Sequence, residues 1–141
     1  MKIKDVMTRN VESISPDATI ESAARRMRDK DIGVLTVKTD DSLIGILTDR
    51  DIVLRSTAEG EDPASKNIAK IMNFEIESCY ENDDIERAVE IMEKYKVRRL
   101  PVLNRTEKLV GIISLSDMMA HGIKAQACDA FEKLSETSQW K

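Results

Sequence analysis

The sequence predicts an α+β protein in which a unit of roughly sixty residues is written twice, the copies packed with pseudo-twofold symmetry. Three observations predict it. Gly45-Ile46-Leu47-Thr48-Asp49-Arg50-Asp51 is echoed by Gly111-Ile112-Ile113-Ser114-Leu115-Ser116-Asp117. An offset of 65 maps Ile3 to Ile68, Met7 to Met72, Ile20 to Ile85, Ala23 to Ala88, Met27 to Met92 and Leu35 to Leu100. After one inserted residue the offset becomes 66, taking Leu43 to Leu109, Gly45 to Gly111 and Asp51 to Asp117. Strand-like and helix-like apolar spacings also follow one another in the same β-α-β-β-α order in both copies.

Each copy opens with a short lead, Ile3 to Met7 or Ile68 to Met72, and a brief extended piece, Val11 to Ile14 or Glu75 to Cys79. Helices are predicted over Ile20 to Lys30 and Ile85 to Tyr95. Ser15-Pro16-Asp17 and Asn82-Asp83-Asp84 offer capping groups and early acids. Their apolar stripes are Ile20, Ala23, Ala24 and Met27, and Ile85, Ala88, Val89 and Met92. Two hairpins follow, Gly33 to Val37 with Leu43 to Leu47 and Arg99 to Leu103 with Leu109 to Ile113, joined by short polar turns. Second helices close the copies at Arg50 to Thr57 and at Ser116 to about Gly122. The repeats are thus placed at 1–60 and 66–122, separated by the linker Ala58 to Ser65. A helical tail at 123–141 carries Ala127, Phe131 and Leu134 on one side, and fraying is expected beyond Ser135.

Composition narrows the function classes. The 141 residues are 41% hydrophobic and 34% charged, enough for a real core, but aromatics make up only 4%, so that core is aliphatic. A net charge of −4 with interspersed signs gives nucleic acid no bulk attraction. No apolar run is long enough to span a membrane, and the charged start Met1-Lys2-Ile3-Lys4-Asp5 lacks a signal-peptide core. Cys79 and Cys128 make no metal or redox spacing. The chain reads as cytoplasmic, with free thiols.

The echoed motifs carry the chemistry. A glycine admits another backbone or a flat ligand. A hydroxyl with the first amides of a helix suits phosphate. An Asp three residues on can accept two hydrogen bonds, matching the vicinal hydroxyls of a ribose. Together these point to a nucleotide. The same residues also suit plainer roles: Thr48 and Ser114 as N-caps, Asp51 and Asp117 as local caps and ion-pair partners, Arg98-Arg99 as a solvated basic pair. Met27, Met72 and Met92 read as core filler.

Asp5-Val6-Met7-Thr8, Lys70-Ile71-Met72, Val97-Arg98-Arg99-Leu100-Pro101-Val102 and the two Gly-to-Asp motifs together resemble the CBS domain, the module named after cystathionine β-synthase. It is present here as a tandem pair, a Bateman module, over about residues 1–121. The resemblance implies a regulatory module that needs no cofactor and binds AMP, ADP or ATP, with S-adenosylmethionine or NAD-type ligands also in the family's range. It implies helix-mediated homodimers and a regulated protein contacted in trans. The implied first cleft uses Thr48 and Arg50 at phosphate and Asp51 at ribose, Arg98 and Arg99 for charge, and Ile76, Val97 and Pro101 as base walls. The implied second cleft uses Ser114, Ser116 and Asp117, walled by Thr8, Val11, Ile32 and Val34.

These clefts are unequal. The first holds up to three arginines. Ile32-Gly33 stands where the other copy has Val97-Arg98, and Thr36 replaces Pro101. A charged nucleotide is therefore expected in the first cleft, while the second is empty or takes a less charged adenosine compound. The chief expectation is a stand-alone nucleotide sensor. The alternative is a dimerisation or partner-binding scaffold without nucleotide. An enzyme is disfavoured: His121 is the one histidine, and neither a Walker loop nor a carboxylate-rich metal cluster appears.

Overall fold

The computed structural model describes residues 1–136. The chain is α+β, with two three-stranded sheets and helices arranged as two repeats. One sheet orders β1 (Ser13–Ile14), β2 (Val34–Thr39) and β3 (Ser42–Thr48). The other orders β4 (Cys79–Tyr80), β5 (Arg99–Leu103) and β6 (Leu109–Ser114). In each, the short first strand pairs parallel to the central strand and the hairpin is antiparallel. The matched hairpins each carry a register shift, at Val37/Lys38 and Val102/Leu103, so even this irregularity repeats.

The long helices fall where the stripes predicted, α1 at Ile20–Lys30 and α3 at Ile85–Tyr95. Their caps differ from expectation. Thr19 is the N-cap of α1, its hydroxyl accepting from the Ser22 amide at 3.1 Å. The Ser15 hydroxyl instead accepts from the Asp17 amide within its own turn, at 3.3 Å. Asp84 precedes α3, but its carboxylate pairs with Lys2 at 3.0 Å rather than capping. Both helices stop at a residue in the left-handed region, Asp31 (φ 54°) and Lys96 (φ 58°). The predicted helix Arg50 to Thr57 begins as α2 (Asp49–Ile52) and widens into a π-helical turn, Val53–Thr57. Its counterpart α4 spans Leu115–Ala120.

The chain forms two compact units, and these cut across the repeats as written. The middle unit is Glu12–Ile76; the end unit combines Met1–Val11 with the chain from Glu77 onward. Each lead thus belongs with the other repeat's sheet. In the end unit the Ile3 amide donates to the Asp83 carbonyl (2.9 Å) and Lys4 to Glu81 (3.0 Å). Thr8 and Ile112 exchange both backbone bonds, at 2.8 and 2.9 Å. In the middle unit Asn73 and Ile46 exchange theirs, at 2.8 and 3.0 Å. Such pairings satisfy backbone groups that would otherwise be buried without partners, and local spacing does not reveal them.

Glycine permits this docking. A Cβ on Gly45 would lie 2.8 Å from the Asn73 carbonyl oxygen, and one on Gly111 would lie 2.9 Å from that of Thr8 and 2.7 Å from the Met7 sulfur. What comes close to the motif glycines is therefore another backbone. Gly111→Ala is expected to destabilise the protein by about 1–3 kcal/mol in urea unfolding, the scale of overpacking a tight contact. An unchanged midpoint would show that the Met7–Thr8 segment shifts freely.

Each unit has its own aliphatic core. The middle unit buries Ile14, Ile20, Ala23, Met27, Leu35, Val37, Leu47, Ile68, Ile71 and Met72. The end unit buries the equivalent set around Ile85, Ala88, Met92, Leu100 and Ile113, and adds Ile91 and the tail helix. That helix, α5 (Lys124–Glu136), seats Ala127, Ala130 and Leu134 in the core. Phe131, expected on this face, is 42% exposed and lies beneath the Arg98 guanidinium, 5.0 Å from ring centroid to carbon. The spacing of Ala127, Ala130 and Leu134 turns it outward. The fraying expected past Ser135 falls mostly on residues 137–141, outside the described residues.

Cys79 is buried on β4 and its thiol faces the Pro101 carbonyl at 3.7 Å. Burial, with a smaller push from the Asp83 carboxylate, raises its pKa from 9.0 to about 12. The unfolded chain loses this proton near pH 9 and the folded one near 12, so stability falls as pH rises through that window. In the native protein at about pH 8, only the exposed Cys128 should react quickly with a disulfide reagent. Two fast native thiols would contradict this burial.

Candidate functional site

The two echoed motifs form matched constellations, one in each unit. In the middle unit β3 ends at Thr48, whose hydroxyl accepts from the Asp51 amide (3.1 Å) while the Thr48 amide donates to Asp51 Oδ2 (2.9 Å). In the end unit Ser114 and Asp117 do the same, at 3.1 and 3.0 Å. These are capping boxes, so the plainer role of these residues is realised. It leaves chemistry to spare. Each hydroxyl accepts from an amide and keeps its own proton to donate, and each carboxylate keeps lone pairs on its second oxygen.

The residue that follows each lead supplies the next partner. Asn73 Nδ2 donates to Asp51 Oδ2 at 3.0 Å, and the Thr8 hydroxyl donates to Asp117 Oδ1 at 3.2 Å. Thr8, expected as a wall of the second cleft, is thus directly bonded to that cleft's Asp across 109 residues of sequence. Asn73 was not predicted. The signal was available, since the offset of 65 carries Thr8 to Asn73. Arg55 was also missed: its Nε stands 3.9 Å from Asp51 Oδ1, one helical turn along, and its Nη1 donates to the Ile71 carbonyl at 3.1 Å.

The remaining residues divide between the units. Of those predicted for the first cleft, Thr48, Arg50, Asp51 and Ile76 lie in the middle unit, and Val97, Arg98, Arg99 and Pro101 in the end unit. Of the second set, Thr8, Val11, Ser114, Ser116 and Asp117 lie in the end unit, and Ile32 and Val34 in the middle one. Asp51 is 8% exposed. Thr48, Ile76, Val97, Val11, Ile32, Val34, Ser114 and Asp117 are half-buried, Pro101 is buried, and Arg50, Arg98, Arg99, Thr8 and Ser116 are exposed. Val97 packs on the end-unit core and Ile32 on the middle-unit core. On the ladders Val34 is opposite Thr48, and Arg99 is opposite Ser114.

Electrostatics separates the two copies. Where the end unit has Arg98 the middle unit has Gly33, and the Asp49 carboxylate fills that space, its Oδ2 2.9 Å from where a Cβ would sit. The Asp49 amide donates to the Gly33 carbonyl (3.0 Å), as Leu115 does to Arg98 (3.1 Å). Around this matched position one copy carries an acid, Asp49 beside Gly33, and the other a base, Arg98 over the Phe131 ring. Thr36, buried where the end unit has Pro101, donates its amide and its hydroxyl to the Glu12 carbonyl (3.2 and 3.0 Å) and shares a 2.6 Å hydrogen bond with the Ser13 hydroxyl. Proline has no amide to offer β4 at this position.

Repeat, sheet topology and capping-box motifs define a class of tandem α+β module, and comparison identifies it. The CBS domain model matches twice, at residues 3–57 and 68–123, and this chain belongs to that family. The CBS domain-containing protein YhcV of Bacillus subtilis is 39% identical over 116 residues, covering 82% of this chain and 81% of YhcV. Hypoxic response protein 1 of Mycobacterium tuberculosis is 36% identical over 119 residues, 84% of this chain and 82% of that protein. A crystal structure of Hypoxic Response Protein I with two coordinated zinc ions superposes with a TM-score of 0.77 at 34% identity, covering 86% of this chain and 98% of that one. CBSX2 in complex with AMP shares the fold, with a TM-score of 0.75 at 23% identity, covering 89% and 98%. Among the described residues of this chain, no group of three or more His, Cys, Asp or Glu could hold a metal ion. No helix among them is long and apolar enough to cross a membrane.

Proposed function

We propose that this chain is a ligand-sensing protein that binds an adenosine nucleotide of the AMP, ADP or ATP kind through its Thr48–Asp51 and Ser114–Asp117 motifs. The observation that carries the reading is the state of Asp51. It is nearly buried, yet its Oδ2 takes both short hydrogen bonds while Oδ1 has only the long contact to Arg55. A carboxylate so held suits a ribose diol. The Thr48 hydroxyl, with its proton unspent, and Arg50 suit phosphate. That CBSX2, alike in fold, is solved with AMP supports the ligand class.

The output is non-catalytic. A nucleotide shifts the protein only as far as its affinity differs between conformations, so the signal passes in trans, through a homodimer or a docked partner. Thermal unfolding against AMP, ADP, ATP, S-adenosylmethionine and NAD tests this reading. A ligand that binds only the folded chain stabilises it by about 2.7 kcal/mol at a hundred times its Kd, and so raises Tm. No rise with any of them at millimolar concentration would favour the scaffold reading.

A further inference from the structure

Asn73 directly follows the lead Ile68 to Met72, which a linker separates from Asp51 in the sequence, yet the fold fixes it firmly. Its backbone is locked on both sides by the Ile46 pair, and Gly45 lets its carbonyl come within 2.8 Å of where a Cβ would sit. Its side chain then reaches Asp51 Oδ2 at 3.0 Å. An ionised carboxylate only accepts, so the amide nitrogen must be the end that points there. Asp51 Oδ2 therefore takes two donors, the Thr48 amide and Asn73, and the carboxylate can neither rotate nor exchange its oxygens without losing both. Oδ1 is left with Arg55 Nε at 3.9 Å, beyond hydrogen-bond range. In the other copy the equivalent donor falls on the opposite oxygen: Thr8 takes Asp117 Oδ1 while the Ser114 amide takes Oδ2. Both oxygens of Asp117 are engaged, whereas Asp51 concentrates its partners on one.

We propose that Asn73 is a positioning residue that clamps Asp51 through Oδ2 and keeps Oδ1 for a sugar hydroxyl, so that the Thr48–Asp51 motif selects ribonucleotides over deoxyribonucleotides and the Ser114–Asp117 motif does so less. This rests on the nucleotide-binding reading above. Asn73 touches no ligand in this account. It acts by denying Asp51 its alternative rotamers, an ordering cost that would otherwise fall on binding.

The test is calorimetric titration of the full chain with AMP and 2′-deoxy-AMP. Wild type is compared with Asn73→Ala, with Asn73→Leu, which removes the donor and keeps the bulk, and with Asn73→Thr, which installs the other copy's donor. The expected result is an AMP Kd raised about ten-fold in Asn73→Ala and Asn73→Leu, the scale of one hydrogen bond to a charged group. The 2′-deoxy-AMP Kd should change less than about two-fold, because that ligand already lacks one hydroxyl of the diol. The ribo-to-deoxy preference therefore collapses, and Asn73→Thr restores part of it. A merely structural Asn73 would weaken both ligands equally and leave the ratio at its wild-type value, which overturns the proposal. Asp51→Ala separates the two levels. If it abolishes the preference while the Asn73 variants keep it, nucleotide binding stands and the positioning role fails. If wild type binds neither ligand, both fail.

Discussion

Leu35→Ala and Leu100→Ala each lower the unfolding free energy by about 2–5 kcal/mol, the range for emptying a buried leucine site. The two residues are repeat equivalents, 0% and 1% exposed, each the second residue of its strand, β2 or β5. Each is walled by its own cluster, Leu35 among Ile20, Met27, Val37 and Leu47, Leu100 among Ile85, Met92, Val102 and Ile113. Both stand on the central strand of a three-stranded sheet, where the neighbouring strands hinder collapse into the space left behind. Urea unfolding with an unchanged slope measures the loss. A cost below about 1 kcal/mol at either site would mean that the cavity closes by relaxation and that the core there is loosely packed.

Asp51→Ala is expected to weaken adenosine-nucleotide binding by about 1.5–3 kcal/mol, roughly ten- to a hundred-fold in Kd. It also removes the capping-box carboxylate from the Thr48 amide and strands the Asn73 amide, so some stability is lost as well. Urea unfolding of the ligand-free variant reads that stability loss separately from affinity. If affinity falls in Asp51→Ala under conditions where the variant is fully folded, the ribose role holds. Equal affinity in wild type and Asp51→Ala sinks it. Asp117→Ala asks the same of the second motif, where the absence of a motif arginine predicts a smaller effect with phosphate-bearing ligands.

Much of the fold is legible locally. The two long helices and β5 follow from apolar spacing that needs no partner to be recognised, and the repeat makes each half a check on the other. The motif hydroxyls and carboxylates are legible too, because a capping box is a four-residue signal. What spacing does not carry is the exchange of leads, which depends on pairings such as Thr8 with Ile112 and Asn73 with Ile46. Without them Asn73 looks like an isolated polar residue in a loop, and its bond to Asp51 is invisible. Only the comparison of copies brings it forward, by setting it against Thr8. The outward turn of Phe131 has a similar cause: alanine at position 130 fits against the core where the phenylalanine ring was expected, and Arg98 covers the ring instead. Thr19 displaces the Ser15-Pro16-Asp17 group as cap because it directly precedes Ile20, while Ser15 closes a turn of its own.

The central claim is that the paired hydroxyl-and-carboxylate motifs bind an adenosine nucleotide. Its most direct test is titration calorimetry of wild type and the Asp51→Ala/Asp117→Ala double variant with AMP, ADP and ATP. The account predicts saturable binding of at least one of them by wild type and its loss in a double variant that remains folded. Equal binding by both proteins, or none by wild type, would contradict it.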